Sequence, residues 1–410
     1  MKICFFAENY FKGGIDTFIT NLIISWPDPE DEITLLCNSD YPGLPDLIGN
    51  KKLNINVQTY VRPSFLRPRE INSKNLLLQP QLSEKFTNFL HNITEYFIVF
   101  PYFILKFSQL FRNSDYERIL SINGGYPGGN AVRASVIAWA FSGKDSDAIF
   151  SFHSSATSPK KPYKLIEFLI DKLLIWSASN ITTVSAACVE SMRNRTSFRK
   201  TNKLNFIHNG IQDPLLGKSD LDSPLGLVNS SSSYSLMLAT YHAYKGHYFL
   251  LQSIKIAQQE IPDIKVHIYG DGSLLEIENI RSGIIELGLQ KNIEIHSYVS
   301  QTYDLIKNAR MLLVPSQAFE GFGLTIIEAF AHGIPVVATN VGAIPEVLGA
   351  SGAGILCSKD DPNEFAKAMV MLLLRPEVAK SMGIKGRSLF EREFTAKTMA
   401  SKYKSIIDTA

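Results

Sequence analysis

Two series of short apolar runs, each run separated from the next by a stretch with helical spacing, constrain this chain more than any other feature of its 410 residues. The first series is KICFFAE (2–8), EITLLC (32–37), INVQTY (55–60), ERILSING (117–124), DAIFSFH (147–153), ITTVS (181–185) and NFIHNG (205–210). The second is SLMLAT (235–240), KVHIYG (265–270), IEIHSY (293–298), MLLVPS (311–316), PVVAT (335–339) and GILC (354–357). Runs of this length predict strands, and stretches such as 15–26, 130–142, 162–178 and 186–195 predict the helices between them. Strand–helix alternation implies α/β architecture, with parallel sheets covered on both faces. A polar break at 214–233, with SDLDSP and NSSSS, separates the two series, and 361–409 reads as mostly helix. The chain is too long for one ordinary core, so two doubly wound halves are expected. Such sheets bind ligands beyond the C-terminal ends of their strands, and two such edges could face each other across a cleft.

Composition excludes several classes. The chain is 45% hydrophobic and 20% charged, which is globular rather than disordered. Its formal net charge of +2 lacks the basic excess of a dedicated nucleic-acid binder. Cys4, Cys37, Cys188 and Cys357 show no metal-ligand or redox spacing and read as buried, reduced thiols of a cytosolic protein. MKICFFAENY meets Glu8 too soon for a signal peptide, and no run of uncharged apolar residues is long enough to require a transmembrane helix. Residues 61–111 interrupt the first half. Within them YFIVFPYFILKFSQLF (96–111) is apolar nearly all round, with only Lys106 charged and a kink expected at Pro101. Core and membrane contact are both open readings of that stretch.

The sharpest chemistry lies in FEGFGLTIIEAFAHGIP (319–335). MLLVPS ends a strand, Phe319–Gly321 form a loop, and a helix begins near Gly323. A helix start offers free N–H groups and a partial positive charge, and glycine lets a phosphate come close. Glu328 lies one to two turns further on, among Ile326, Ile327, Ala329 and Phe330, where an acid usually has a partner such as a pair of ribose hydroxyls. Glu320 precedes the helix and would meet whatever the diphosphate carries. A nucleoside diphosphate sugar satisfies all three features.

The phrase PSQAFEGFGLTIIEAFAHGIPVVATNVGAIPEVL resembles the donor-site signature of the retaining glycosyltransferases of family 4, whose hallmark is two glutamates separated by seven residues, here Glu320 and Glu328. GGIDTFITNL, HNGI (208–211), YKGH (244–247) and IYGDGSL are similar to further segments of that family, and the likeness is strongest over 205–375. The resemblance implies the GT-B fold: two facing Rossmann-like domains with an interdomain cleft. The boundaries expected are 1–212, with a C-terminal helix about 395–410 packing back, and 213–394. Closure about a hinge near Asn209 is expected with them.

Residue by residue, the resemblance implies that Glu320 contacts donor-sugar hydroxyls and that the amides of Phe322 and Gly323 hold the sugar side. Leu324 and Thr325 would hold the phosphates, Glu328 the ribose, and Lys245 would neutralise the diphosphate. Gly13 and Gly14 would approach it from the first domain. The base would lie against Gly270–Gly272 and the backbone near Tyr298 and Val299. His153, which on strand-end position alone reads as structural, would reach the donor sugar, making His153, Glu320 and Lys245 the catalytic set. One departure stands out: the family often has an arginine five residues before the lysine, and Thr240 stands there.

The expected activity is retaining transfer of a hexosyl group from a nucleotide sugar, a UDP-sugar first and a GDP-sugar second, to a glycan or lipid-linked glycan in surface polysaccharide synthesis. The helix dipole, backbone amides and Lys245 can stabilise the departing diphosphate, so no metal or other cofactor is expected. The rival on the same fold is a sugar-nucleotide epimerase or phosphorylase. A nicotinamide oxidoreductase needs a spaced glycine fingerprint, and FKGGID has only adjacent glycines. A non-catalytic sugar-binding module would not need the retained His153, Lys245 and glutamates. The aromatic stretch within about 87–111, and Arg62, Arg67, Arg69 and Lys74 before it, suggest contact with the inner face of the cytoplasmic membrane, and no nucleic-acid partner is expected.

Overall fold

The structure is a computed structural model that describes residues 1–10, 13–50, 53, 55–62, 90–216 and 234–410. Its first unit comprises Met1–Ile207 with Met399–Ala410. Among the described residues this unit holds β1 (Lys2–Ala7), β2 (Glu32–Asn38), β3 (Asn56–Tyr60), β4 (Arg118–Asn123), β5 (Ala148–Phe152), β6 (Ala178–Thr183) and β7 (Leu204–Phe206). They form one all-parallel sheet in the order β3-β2-β1-β4-β5-β6-β7. The order reverses between β1 and β4. The central strands are buried because helices cover the sheet, as the apolar runs required.

Two strands differ from expectation. β6 begins at Ala178, directly after the helix Lys164–Ser177, earlier than expected; Ser179 and Asn180 near its start break the apolar run that marks the other strands. β7 ends at Phe206; beyond it Ile211 forms an isolated bridge with Thr395, and a Cβ on Gly210 would lie 2.2 Å from the Thr395 carbonyl oxygen.

The interrupting stretch is a π-helical turn, Glu95–Val99, running into an α-helix, Phe100–Asn113. Phe103, Phe107 and Phe111 recur every four residues and are fully buried. Phe107 meets Phe6 at 4.9 Å between ring centroids, and Phe111 meets Trp139 at 5.4 Å. This face is core. The opposite face leaves Phe97, Ile98 and Leu105 exposed. Arg62 is buried, whereas Arg67, Arg69 and Lys74 fall outside the described residues.

The helix Ala396–Asp408 carries the chain's last residues into the first unit. Tyr403 is fully buried there, its hydroxyl 2.8 Å from Ser151 Oγ, and Lys404 pairs with Asp31 at 3.4 Å.

The second unit, His208–Thr398, contains β8 (Tyr234–Leu238), β9 (Val266–Gly270), β10 (Ile293–Ser297), β11 (Ala309–Val314), β12 (Val336–Thr339) and β13 (Gly354–Cys357). These are also all parallel, in the order β10-β9-β8-β11-β12-β13, with the reversal between β8 and β11. The helix Leu324–Ala331 follows β11. It is fixed from behind by the helix Pro376–Glu393, where Cβ atoms on Gly383 and Gly386 would lie 1.9 Å from the Gly333 carbonyl oxygen and 2.8 Å from the Phe330 ring. Arg387 grips Asp213 through two nitrogens at 2.8 and 2.7 Å and also donates to the Ala331 carbonyl at 2.8 Å. All four cysteines are free and buried. No helix among the described residues is long and apolar enough to cross a membrane.

Candidate functional site

Where the strand order of a parallel sheet reverses, the loops leaving the two central strands diverge and open a crevice at their C-terminal ends. In the second unit those loops are the one after β8, with Lys245, and the one after β11, with Glu320. The structure joins them. Lys245 Nζ donates to Glu320 Oε2 at 2.6 Å, and Ser316 Oγ donates to the same oxygen at 3.4 Å. Both contacts fall on Oε2, and Oε1 takes none among the described residues.

The backbone beneath is closely fitted. Gly246 has φ +82°, and a Cβ there would fall 1.8 Å from the Pro315 carbonyl oxygen. Gln317 N–H donates to the Tyr244 carbonyl at 2.8 Å, which ties the lysine loop to the exit of β11. Gly342, at φ +55°, lies against the Glu320 backbone, and the Ala343 N–H donates to the Glu320 carbonyl at 2.8 Å.

The adjacent helix begins at Leu324, with Gly323 as its left-handed cap at φ +93° and no side chain capping it. Phe322 is buried against Phe394 and His208, and His208 pairs with Glu346 at 2.7 Å. The amides of Leu324 and Thr325 thus open the helix beside the Lys245–Glu320 pair in sequence and fold. Glu328 lies on the same helix, half-buried, and its carboxylate has no partner among the described residues. Desolvation by its apolar neighbours pushes it from 4.5 up to about 7.

That shift has a sign that can be tested. A carboxyl raised in the folded state favours folding below its unfolded value of 4.5, and this contribution is lost as pH rises through about 7. Glu328→Gln is therefore expected to stabilise the ligand-free protein at pH 8, on the order of 3 kcal/mol, and to have little effect at pH 4.5. Denaturant unfolding at the two pH values checks it. An equal effect at both would remove the desolvation account.

At the outer strands, Thr240 is exposed after β8, and Gly270 ends β9 with no room for a Cβ, which would sit 1.9 Å from the Ala239 carbonyl oxygen. Tyr241 donates its hydroxyl to the His296 carbonyl at 2.6 Å, and Tyr298 and Val299 follow the end of β10. Thr240, Gly270, Tyr298 and Val299 thus share one edge of the sheet with Lys245 and Glu320. Away from that edge, along β9 and β10, three side chains have metal-ligand proximity: His267, Glu294 and His296, with Glu294 Oε2 at 3.7 and 3.4 Å from the two Nε2 atoms.

The first unit has its own site at its own reversal. A cavity of about 470 Å³ opens after β1 and β4, lined by Glu8, Tyr10, Arg62, Glu95, Asn123 and Asn130 among others. Arg62 bridges Glu8 and Glu95 at 2.8 and 2.5 Å, Tyr10 donates to Glu8 at 2.8 Å, and Asn130 donates to Glu95 at 2.7 Å. Sequence reasoning missed these residues. The signal was GGYPGG (124–129): Gly128, at φ +59°, and Gly129 bring the chain against Asn123 and Glu8 with no space for a side chain.

His153 follows β5 in this unit. Its ring stands 3.9 Å from that of Phe18, and its Nε2 is 3.1 Å from Ser151 Oγ, which continues to the Tyr403 hydroxyl. Gly13 caps the helix Gly14–Ile24, and its N–H is already bonded to Asp16 Oδ2 at 2.7 Å, so an acid stands at that helix start.

Residues 233–375 match the family model described as "Glycosyl transferases group 1". The N-acetyl-alpha-D-glucosaminyl L-malate synthase of Bacillus anthracis is 27% identical over 235 residues, covering 54% of this chain and 58% of the relative. The capsular polysaccharide biosynthesis glycosyltransferase CapM of Staphylococcus aureus is 25% identical over 319 residues, covering 75% and 80%. The chain spans about half the length of the first curated relatives it matches. Among solved structures, that of Anabaena Alr3699/HepE in complex with UDP superposes with a TM-score of 0.75, 16% identity and full coverage of both chains. At that identity the likeness shows the fold.

Proposed function

We propose that this chain, which has the GT-B fold and carries a glycosyl transferases group 1 domain over residues 233–375, is a retaining glycosyltransferase of family 4 that uses a nucleoside diphosphate sugar. The observation that carries the reading is the Lys245–Glu320 contact of 2.6 Å beside the uncapped helix start at Gly323. A cation, a helix N-terminus worth about half a positive charge, and a carboxylate with one unengaged oxygen fit a diphosphate followed by a hydroxylated ring.

In the transfer, the bond between the sugar's anomeric carbon and the diphosphate oxygen breaks. Lys245 and the amides of Leu324 and Thr325 stabilise the charge that develops there. Phe322 and Gly323 amides with Glu320 orient the sugar, and Glu328 accepts from the ribose. The acceptor hydroxyl forms the new bond on the same face, and its proton passes to the leaving phosphate. We assign His153 a hydrogen bond to the donor sugar and Gly13 and Gly14 an approach to the diphosphate. Stabilisation of the leaving group by these groups leaves no step that requires a metal.

UDP is the first choice of nucleotide, in line with the complex reported for the Anabaena protein, and GDP the second. The cavity of the first unit supports a glycan acceptor: carboxylates, amides and a guanidinium beside the rings of Tyr10 and Tyr96 suit a polyhydroxylated ring. Surface polysaccharide assembly, with a lipid-linked glycan acceptor at the inner face of the cytoplasmic membrane, fits the named role of the Staphylococcus relative and the exposed Phe97, Ile98 and Leu105 of the 87–111 stretch.

A thermal-shift screen against UDP, GDP, ADP and their common sugars tests the donor. One nucleotide is expected to stabilise the protein, by about 2.7 kcal/mol at a hundredfold excess over its Kd. One of its sugars is expected to add an increment that Glu320→Ala removes. No stabilisation by any of them in folded protein overturns the reading.

A further inference from the structure

The helix Lys164–Ser177 is built inside out. Its buried positions include Glu167 and Asp171, while Leu165, Leu169, Leu173 and Trp176 are 74%, 53%, 41% and 58% exposed, with Phe168 at 37%. Spacings of three and four residues put these side chains on one stripe. Phe141, 51% exposed, extends it, its ring 5.7 Å from that of Trp176. Scattered exposed leucines are ordinary, but a contiguous stripe on a helix whose acids are turned inward is not.

Charge identifies what covers it. Lys160, Lys161, Lys164 and Lys172 are exposed along the same segment. From 160 to 177 the only acids are Glu167 and Asp171, both buried. The neighbouring stretch 90–113 repeats the pattern. Its one acid, Glu95, is buried between Arg62 and Asn130, while Arg112 is exposed. The two segments meet where the Tyr96 and Tyr163 rings lie 5.3 Å apart. This local surplus stands in a chain whose overall formal charge is only +2.

We infer that this face docks on an anionic lipid surface, with the helix Lys164–Ser177 lying in the headgroup plane. Leucines and phenylalanine enter the acyl boundary, Trp176 sits at the interface, and lysine stems run along apolar surface while their amines reach lipid phosphates. Lys172 Nζ stands 5.5 Å over the Phe168 ring and donates to the Ser197 carbonyl at 3.2 Å, which leaves Lys160, Lys161 and Lys164 as the amines that reach the lipid. A second copy of the chain does not fit, because a two-fold contact through this face sets lysine against lysine. The inference stands on this face alone and does not require the transfer reading.

The experiment is flotation of the full chain with phosphatidylcholine vesicles, with and without phosphatidylglycerol. Flotation is expected only with the anionic lipid. Leu165→Ser/Leu169→Ser/Trp176→Ser and, separately, Lys160→Glu/Lys161→Glu/Lys164→Glu are each expected to lower partitioning by roughly tenfold or more. Brominated lipid is expected to quench wild-type fluorescence and to spare Trp176→Phe, since Trp139 is buried and Trp26 half-buried. Nucleotide-induced thermal shifts are expected to be the same in all these variants, which separates failure of docking from failure of the donor site. No flotation with anionic vesicles, equal flotation without anionic lipid, or loss only in Phe97→Ser/Leu105→Ser overturns the inference. So does concentration-dependent dimerisation abolished by the leucine variant without vesicle binding.

Discussion

Lys245→Met is expected to lower kcat by about 10²- to 10³-fold while leaving the fold intact. Lys245 closes a short 3-10 turn, Ala243–Lys245, and Gly246 pins that turn against Pro315. The backbone of Lys245 is therefore fixed independently of its charge, and methionine keeps the stem but removes the ammonium. Removing one preorganised electrostatic contact from a developing charge typically costs about 2.7–4 kcal/mol. A second effect adds to it, because Glu320 loses its cation and its bare carboxylate then faces the diphosphate. The double variant Lys245→Met/Glu320→Gln separates the two. It is expected to regain part of the nucleotide affinity that Lys245→Met loses, since the repelling charge is gone. It is not expected to regain turnover. Calorimetric UDP binding and steady-state rates on all three variants close the cycle. Wild-type turnover in Lys245→Met, or no recovery of affinity in the double variant, would end this account of the pair.

Strand positions were legible because parallel strands buried on both faces are written as unbroken apolar runs. The loop from Phe319 to Gly323 was legible because a strand end, a glycine and a helix start follow within a few residues and carry an acid on either side, Glu320 and Glu328. What did not show were contacts between segments far apart in sequence. Glu8 and Glu95 meet only through Arg62, and His153 is fixed through Ser151 to Tyr403, which is 252 positions from Ser151. Nor could periodicity orient the helix Lys164–Ser177. Its pattern KLIEFLIDKLLIWS shows an apolar stripe, and the ordinary rule sends that stripe inward. Here Arg133 and Arg195 lie behind the helix, so Glu167 and Asp171 turn in and part of the apolar stripe turns out. The same test applies to the 96–111 stretch, where both faces are apolar and contacts with Phe6 of the sheet and Trp139 decide which is core.

Glu167→Ala is expected to destabilise the first unit by about 3–5 kcal/mol, a large share of the roughly 5–15 kcal/mol that holds a domain folded. Glu167 receives hydrogen bonds from Arg133 at 3.0 Å, Arg195 at 2.6 Å and Tyr96 at 2.8 Å. Asp171 binds Arg195 at 3.0 Å together with Ser197 and Tyr126. Alanine at 167 leaves Arg133 buried with no carboxylate and Arg195 with one of its two carboxylate partners, and an uncompensated buried charge costs more than the pair contributed. Burial, the largest influence, would raise the Glu167 carboxyl, but Arg133, Tyr96 and Arg195 together outweigh it and hold the group below its usual range. A group lowered on folding contributes stability that is present above its unfolded value and lost as pH falls through the folded one. Glu167 and Glu328 therefore act in opposite directions. Acid removes the stabilisation due to the first and relieves the desolvation of the second. Denaturant titrations of wild type and Glu167→Ala should accordingly converge as pH falls below about 4.5, the unfolded value, and separate above it. If the two unfold alike at pH 7, the ion network does not hold this helix, and its inverted face needs another cause.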